Sequence, residues 1–447
     1  MRLSGAELAD RAARIAGALT ANGVACGDVV GFWLPPWWEA LALYAACWRL
    51  GAVAAPLHHR LALAEAEALV ERLRPRVVLV GSELPQLRGA AAVRGPHDVF
   101  ARWLESSPAP VTEVAGLAPA VALATSGSSG VPKLVAHTHR GLAYKARLMA
   151  DVHGLTPNDV ILMPAPLGHV SGLLNGLLLP GAAGMTTALM ERWSAPDALD
   201  LIERERVSFL IGPPTYFVQL MAEPAFSAER VASVRLISCG GAGVTESFAR
   251  TAAEAFGAVV KRTYGSTEAP TVTTAHAGDP VELGWTTDGR PVGEVELRVQ
   301  DGELLVRGPE LFAGYDHGGG LDADGWFRTG DLASIDTDGW VTISGRRDDT
   351  IIRGGENVVP AEVESVCASL PGVRQAVAVG YPDDVMGQRV GLVVVGAIPS
   401  VDAVRAHCAA AGLASFKIPD RVVGIDEMPV LTVGKPNRAA LTDLLGH

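Results

Sequence analysis

The strongest chemical signal in the chain is Leu123-Ala124-Thr125-Ser126-Gly127-Ser128-Ser129-Gly130-Val131-Pro132-Lys133. Small residues let backbone N–H groups and hydroxyls converge on one oxyanion, and Lys133 adds positive charge beside them, so the loop reads as a phosphate cradle. By composition alone a Ser/Gly loop is also an ordinary solvated linker; the apolar run before it and the Pro-Lys after it favour the cradle. No glycine-lysine pair follows the first glycine at Walker spacing, and no G-x-S-x-G elbow occurs, which disfavours a P-loop NTPase and a serine hydrolase. Cys239-Gly240-Gly241-Ala242-Gly243 follows the apolar run Leu236 to Ser238 but lacks the context of a dinucleotide fingerprint. His137 and His139 would diverge on a helix, so they read as structural and not as a metal pair. Tyr264-Gly265-Ser266-Thr267-Glu268 offers a flat ring that could stack on a base and an acid that could ligate magnesium, although on its own it is an unremarkable strand end.

Taken in order, these segments resemble the adenylate-forming superfamily, which includes acyl- and aryl-CoA ligases, firefly luciferase and the adenylation domains of peptide synthetases. Residues 123–133 are similar to its phosphate-binding signature and Tyr264 to Glu268 to its aromatic-Gly-x-Thr-Glu motif. Trp326-Phe327-Arg328-Thr329-Gly330-Asp331 resembles its Trp-Phe-x-Thr-Gly-Asp motif, Gly345-Arg346-Arg347-Asp348-Asp349 its hinge, and the run from Gly354-Gly355-Glu356 to Glu364 the segment that follows. Gly434-Lys435 stands where the family carries a catalytic lysine. Each motif is weak alone; their shared order over almost the whole chain is specific.

The resemblance assigns roles. Thr125, Ser126, Gly127, Ser128, Ser129, Gly130 and Lys133 would hold phosphates. Gly241 and Ala242 would run along the adenine, on which Tyr264 stacks, with Gly265, Ser266 and Thr267 completing that edge. Glu268, helped by Thr125, would ligate magnesium; Asp331 would accept both ribose hydroxyls and Arg346 would donate to the same sugar. Lys435 would sit between the attacking carboxylate and the α-phosphate, where two negative groups must meet. Asp348 would be the hinge of a lid that presents first Lys435 and then the loop at Gly354 and Gly355, used for thioester formation.

Pro166-Leu167-Gly168-His169-Val170-Ser171-Gly172 resembles an element of the acyl- and aryl-CoA ligase branch whose histidine lies beside the acyl group, so His169 joins Lys435 and Glu268 as a catalytic candidate. In isolation it would be a core histidine. His169, Gly172, Tyr216 and Gly240 are the expected acyl pocket. Amino-acid-activating relatives place an Asp near here, whereas no acid lies between Asp159 and Glu191. A buried ammonium would lack its partner, so an α-amino acid is disfavoured. The implied reaction uses ATP, Mg2+ and CoA to convert an aryl, alicyclic or medium-chain acid into a thioester through an acyl-adenylate. Two alternatives stand: loading of the phosphopantetheine arm of a carrier protein, and a nucleotide-binding regulator without catalysis. Joint retention of Lys133, Glu268, Asp331, Arg346 and Lys435 opposes the second.

The elements that must position these residues follow from hydrophobic pattern. Short β-branched runs such as Val77 to Val80, Val121 to Leu123 and Phe209 to Ile211 alternate with amphipathic segments such as Asp197 to Arg206, the pattern of doubly wound, mostly parallel sheets. Ser4 and Glu7 predict a capping box opening a helix to about Thr20. From about Pro291 antiparallel strands joined by Asp-Gly turns predict a small β-barrel-like subdomain. Two turns, Asp322 to Trp326 and Asp336 to Trp340, share one design; their twelfth positions, Ala333 and Arg347, exclude a calcium loop. The fold class is therefore α/β: a large N-terminal domain, 1–347, followed by a small mobile α+β lid, 348–447.

Composition sets the remaining bounds. Lys and Arg number 37 against 49 Asp and Glu, a net charge of −12, which argues against nucleic acid or an anionic membrane surface as partner. Any triphosphate must then be met by a local cluster, here Lys133, Arg346 and Lys435. Five cysteines without a C-x-x-C pair fit a reducing, cytoplasmic setting. Residues 160–190 lack Asp, Glu, Lys and Arg, but prolines and glycines break the run into pieces too short to span a membrane. Oligomeric state is left open.

Overall fold

The computed structural model describes residues 1–87, 92–94, 96–125, 133–430 and 436–445. Ser126, Gly127, Ser128, Ser129 and Gly130 of the expected cradle, and Lys435, lie outside the described residues.

The first helix, Gly5–Ala21, opens on the expected box: Ser4 Oγ accepts the Glu7 N–H and the Glu7 carboxylate accepts the Ser4 N–H. Beside it lies a seven-stranded sheet in the order Gly314–Tyr315, Lys133–Thr138, Pro119–Thr125, Val53–Leu57, Val29–Trp33, Val77–Val80 and Ala92–Arg94. Its middle is parallel; Pro119–Thr125 and Lys133–Thr138 form an antiparallel hairpin that pairs Thr125 with Lys133. Thr125 and Lys133, which flank the expected phosphate loop, are thereby fixed on adjacent strands.

A second seven-stranded sheet has the order Arg290–Pro291, Thr273–Thr274, Val259–Tyr264, Leu236–Gly240, Phe209–Gly212, Val160–Met163 and Thr186–Leu189. Its inner strands are parallel and apolar on both faces, as sandwiching between layers requires. Side chains alternate: Ile161, Met163, Phe209 and Leu236 enter one core, while Leu162, Leu210, Ile237 and Cys239 enter the other with Leu199, Ile202, Phe217 and Phe256. The helix expected over Asp197 to Arg206 spans Ala195–Glu205, started by Ser194 accepting the Asp197 N–H and ended by Arg206 at φ +51°. The uncharged run 160–190 is a buried strand, short helices with a π turn at Leu174–Leu178, and another strand. Among the described residues no helix is long and apolar enough to cross a membrane.

The expected barrel-like subdomain is a four-stranded antiparallel sheet, Glu296–Gln300, Glu303–Arg307, Phe327–Ile335 and Val341–Arg346. Asp301 and Gly302, at φ +52° and +76°, make its first tight turn. The two repeated turns are built alike. Asp322 Oδ1 accepts the N–H groups of Asp324 and Trp326, and Asp336 Oδ1 those of Asp338 and Trp340.

Beyond Arg347 a five-stranded sheet is covered on one face by Pro360–Cys367 and Val401–Ala410, through Val363, Cys367, Val404 and Cys408 against Val390, Leu392 and Val394. The alternate residues Val377, Val379, Val393 and Val395 meet Leu441 and Leu445 of the last helix, Arg438–Leu445, on the other face. Two packed faces give this unit its own core.

Candidate active site

Four parallel strands of the second sheet end at one edge, and the segments at their ends carry many of the expected residues: 164–172 after Val160–Met163, 213–216 after Phe209–Gly212, 240–242 at the end of Leu236–Gly240, and 264–268 at the end of Val259–Tyr264. The carboxyl edge of a doubly wound sheet is where such folds bind ligands, because the loops there diverge and leave a crevice. Close backbone approach shapes this edge. A Cβ on Gly240 would lie 2.2 Å from the Thr263 carbonyl oxygen, and one on Gly172 would lie 2.1 Å from that of Pro166. Gly241 adopts φ +79°, a conformation that side chains resist.

Tyr264, Asp331 and Arg346 come together from different sheets. The Tyr264 hydroxyl donates to Asp331 Oδ2 at 2.6 Å, and Arg346 Nε lies 3.2 Å from Asp331 Oδ1. Arg346 also donates to the Thr329 carbonyl at 3.0 Å, and Gly330, at φ +74°, leaves room for its guanidinium. Burial and the neighbouring Asp331 charge push the Tyr264 phenol well above its ordinary pKa, so it stays a neutral donor. The result is a ring, a carboxylate and a cation at one point: a surface for an aromatic base and acceptors for a sugar's hydroxyls.

A second group forms around Glu268. Its Oε1 accepts from the Tyr315 hydroxyl at 2.9 Å, and Lys133 Nζ stands 4.9 Å from the centroid of the Tyr315 ring. Burial, then the Glu268 charge, raises the Tyr315 pKa, which keeps the phenol protonated. Thr125 Oγ1 donates to the Lys133 carbonyl at 3.4 Å across the hairpin. Ser266 Oγ accepts the Ala269 N–H, and the Thr267 carbonyl accepts from His137 Nε2 at 2.7 Å. A single carboxylate such as Glu268 suits a magnesium ion, which takes few protein oxygens and fills its shell with phosphate and water. Among the described residues no cluster of three or more His, Cys, Asp or Glu would hold a metal without such help.

His169 caps the short helix Val170–Leu173, its Nδ1 accepting the Ser171 N–H at 3.2 Å, which fixes the proton of the neutral ring on Nε2. Tyr216, on the helix Pro214–Ala222, lies over Gly212 and stacks on Trp193 with centroids 4.1 Å apart. Asp159, the acid at the start of the uncharged window, is turned away from this edge. Arg235 and Ser208 hold its carboxylate, and their hydrogen bonds outweigh partial burial to bring its pKa to about 2.

Asp348 is exposed in the short link between Val341–Arg346 and Ile351–Arg353. Gly354 and Gly355, at φ +58° and +90°, turn the hairpin that follows, and the Gly354 N–H donates to the Met386 carbonyl at 2.8 Å. Gln388 braces the same hairpin, its Oε1 accepting the Ile352 N–H at 2.8 Å.

Two residues at this site, Tyr315 and Phe312, belong to no motif of the sequence. The Phe312 N–H donates to the Glu268 carbonyl at 2.9 Å, and only the aromatic after Gly314 hinted at the segment. His137 was read as structural, and it is buried, but what it supports is the loop of Thr267 and Glu268.

The geometry brings a tyrosine ring, a carboxylate and a guanidinium together at the carboxyl edge of a doubly wound sheet, and a small unit with its own core follows in the chain. Residues 1–316 match the AMP-binding enzyme family and residues 362–435 the AMP-binding enzyme C-terminal domain. The chain is 31% identical to the indoleacetate–CoA ligase of Aromatoleum aromaticum over 100% of this chain and 94% of that protein. It is 30% identical to the medium-chain fatty-acid–CoA ligase of Escherichia coli over 93% and 81%, respectively. ATP-bound MatB from Rhodopseudomonas palustris superposes with a TM-score of 0.90 at 29% identity, covering 98% of this chain and 93% of that one. The chain belongs to the AMP-binding enzyme family, in the acyl- and aryl-CoA ligase branch of the adenylate-forming superfamily.

Proposed function

We propose that the protein is an AMP-forming acid–thiol ligase that activates a small carboxylic acid with ATP and passes the acyl group to CoA. The observation that carries this reading is the meeting of Tyr264, Asp331 and Arg346 at the carboxyl edge of the second sheet. In the first half-reaction the acid's carboxylate oxygen attacks the α-phosphorus and pyrophosphate leaves; in the second a thiol sulfur attacks the acyl carbon and AMP leaves. Tyr264 stacks on adenine, Asp331 and Arg346 hold the ribose, and Lys133 with the loop 125–130 receives the phosphates. A magnesium ion held by Glu268 and Thr125 would screen the triphosphate's charge. Lys435 bridges the carboxylate and the α-phosphate, and the Nε2–H of His169 faces the acyl group. The domains divide at 347/348, with Asp348 as hinge and Gly354 and Gly355 serving the thioester step.

The acid is aryl, alicyclic or medium-chain. Support comes from the uncharged window around His169, from Gly172 and Gly240, and from the Tyr216–Trp193 stack, an aromatic wall for an apolar body. A reducing cytoplasm is the setting that suits the chain, whose five widely spaced cysteines hold no C-x-x-C pair. The test is ATP–pyrophosphate exchange across a panel of such acids, with mass spectrometry of products formed with CoA or with a holo carrier protein. Lys435→Ala should reduce acid-dependent exchange by about 100-fold or more while nucleotide binding survives. Normal exchange in that variant would remove Lys435 from the first step. Acylation of the carrier alone would move the thiol assignment from CoA, and ATP binding without exchange for any acid would favour a regulatory protein.

A further inference from the structure

The loop from Gly265 to Thr271 carries Glu268 and leaves directly from Tyr264, and its backbone is fixed largely by groups outside it. His137 holds the Thr267 carbonyl and the Phe312 N–H holds that of Glu268. At the far end Thr271 adopts φ +45°, a left-handed conformation that β-branched residues rarely enter. Its carbonyl accepts from Lys145 Nζ at 2.8 Å, and the same ammonium lies 2.9 Å from Glu310 Oε1. The two charged side chains are 2% and 0% exposed. Glu310 Oε2 is buried without a partner among the described residues, and a Cβ on Gly308 would lie 2.8 Å from it.

Two features separate this pair from ordinary core filling. A buried ion pair rarely stabilises a fold better than apolar residues of the same shape, so its presence asks for a use that is directional. Its direction here is toward the nucleotide edge. Lys145 reaches Thr271 from the helix His139–His153, and Glu310 lies two residues before Phe312, which grips Glu268. Thr271 in turn abuts the aromatic motif, because a Cβ on Gly265 would lie 2.3 Å from the Thr271 nitrogen.

We propose that Lys145 and Glu310 are positioning residues for the nucleotide site: their buried ion pair holds the Thr271 carbonyl, keeps that residue in its left-handed turn, and so sets the Tyr264 ring and the Glu268 carboxylate at their working separation. This rests on the roles given above to Tyr264 and Glu268. Without the pair, Thr271 relaxes toward negative φ, and the chain from Gly265 to Glu268 moves with it because no side chain stands between Gly265 and Thr271.

The test uses the full-length protein, MgATP binding by calorimetry without acid, and ATP–pyrophosphate exchange. Lys145→Met/Glu310→Leu removes both charges and keeps the volume. It should lower kcat/KM for ATP by about 10- to 100-fold while the KM for acid stays within about 3-fold. Thr271→Gly added to that double variant should restore ATP kinetics to within about 5-fold of wild type, since glycine takes positive φ unaided. Unchanged ATP parameters in a folded double variant, or no recovery in a folded triple variant, overturns the proposal. If both are unfolded by circular dichroism, the pair serves folding and the proposal is also overturned. Tyr264→Ala and Glu268→Gln test the underlying reading separately: if both leave MgATP binding and exchange unchanged, that reading fails whatever the pair does.

Discussion

Asp331 shows how much of a residue's work is done by its neighbours. A lone carboxylate at a strand bend would sample several rotamers, whereas Tyr264 from one side and Arg346 from the other leave it one orientation. If Asp331 takes the ribose hydroxyls, wild-type enzyme will prefer ATP to 2′-deoxy-ATP, and Asp331→Asn will narrow that preference by about 10-fold. Competition kinetics with the two nucleotides measure it, and an unchanged ratio removes Asp331 from the sugar. Tyr264→Phe keeps the ring and loses the hydrogen bond, so the KM for ATP should rise by about 10-fold. Histidines make a different prediction. Burial first, and neighbouring positive charge second, hold His58 at about 3 and His59 at about 4, so both are neutral at pH 7. Unfolded imidazoles take up protons below about pH 6.5, which the folded ones refuse, so the contribution to stability is intact above that pH and is lost as pH falls toward 4 and then 3. The slope is at most about 1.4 kcal/mol per pH unit for each residue. Thermal melts between pH 7 and pH 4 should show this loss, and His58→Asn should make it shallower; an equal slope in the variant would assign the loss to other groups.

At the scale of elements, local rules made much of the fold legible before any coordinates. The Ser4–Glu7 box, the Asp-Gly turns and the alternation along Phe209–Gly212 and Leu236–Gly240 each follow from a few residues. Ends are less legible: the strand Val373–Asp383 outruns its apolar stretch Ala376 to Val379, because cross-strand pairing with Gly387–Gly396 extends it. The supports of the site were the least legible. Tyr315 meets Glu268 across 47 positions and Lys145 meets Glu310 across 165, and nothing in local composition encodes such partners. The hairpin at Gly354 carries its own prediction. Both glycines adopt positive φ, and a Cβ on Gly354 would lie 2.5 Å from Met386 Cε. Gly354→Val should therefore reduce thioester formation by about 100-fold while exchange stays within about 3-fold. Equal loss of both steps would show the loop acting before the acyl-adenylate is consumed, contrary to its proposed role.

For the whole molecule, the link between the two units is tied to one acid. Glu303 Oε2 accepts from Arg328 at 2.5 Å and from Arg347 at 2.9 Å, while its Oε1 accepts the Gly330 N–H at 3.1 Å. The Arg347 N–H also donates to the Gly330 carbonyl at 2.8 Å, so the end of the four-stranded sheet is fastened directly before Asp348. Glu303→Gln keeps the shape but loses the charge on which two guanidinium groups converge. Limited trypsin digestion should then cut at Arg346 or Arg347 about 5-fold faster than in wild type, since cleavage follows local opening. Unchanged cleavage would show that the link is held by its backbone contacts alone. The order of motifs was readable from sequence, but this anchor was not, since it draws its three contacts from one neighbouring strand and the link.

The division of labour along the second sheet has a practical consequence. The segments at 164–172 and 213–216, which face the proposed acyl group, leave different strand ends from the one at 264–268, while 240–242 serves both sides through Gly240, and Asp331 and Arg346 belong to another sheet altogether. Under the proposed roles, substrate choice and nucleotide chemistry are carried largely by separate stretches of chain. Grafting the first two loops from a relative with another acid preference should retarget the enzyme while its demand for ATP stays as it was, which makes this scaffold a good recipient for specificity transplants.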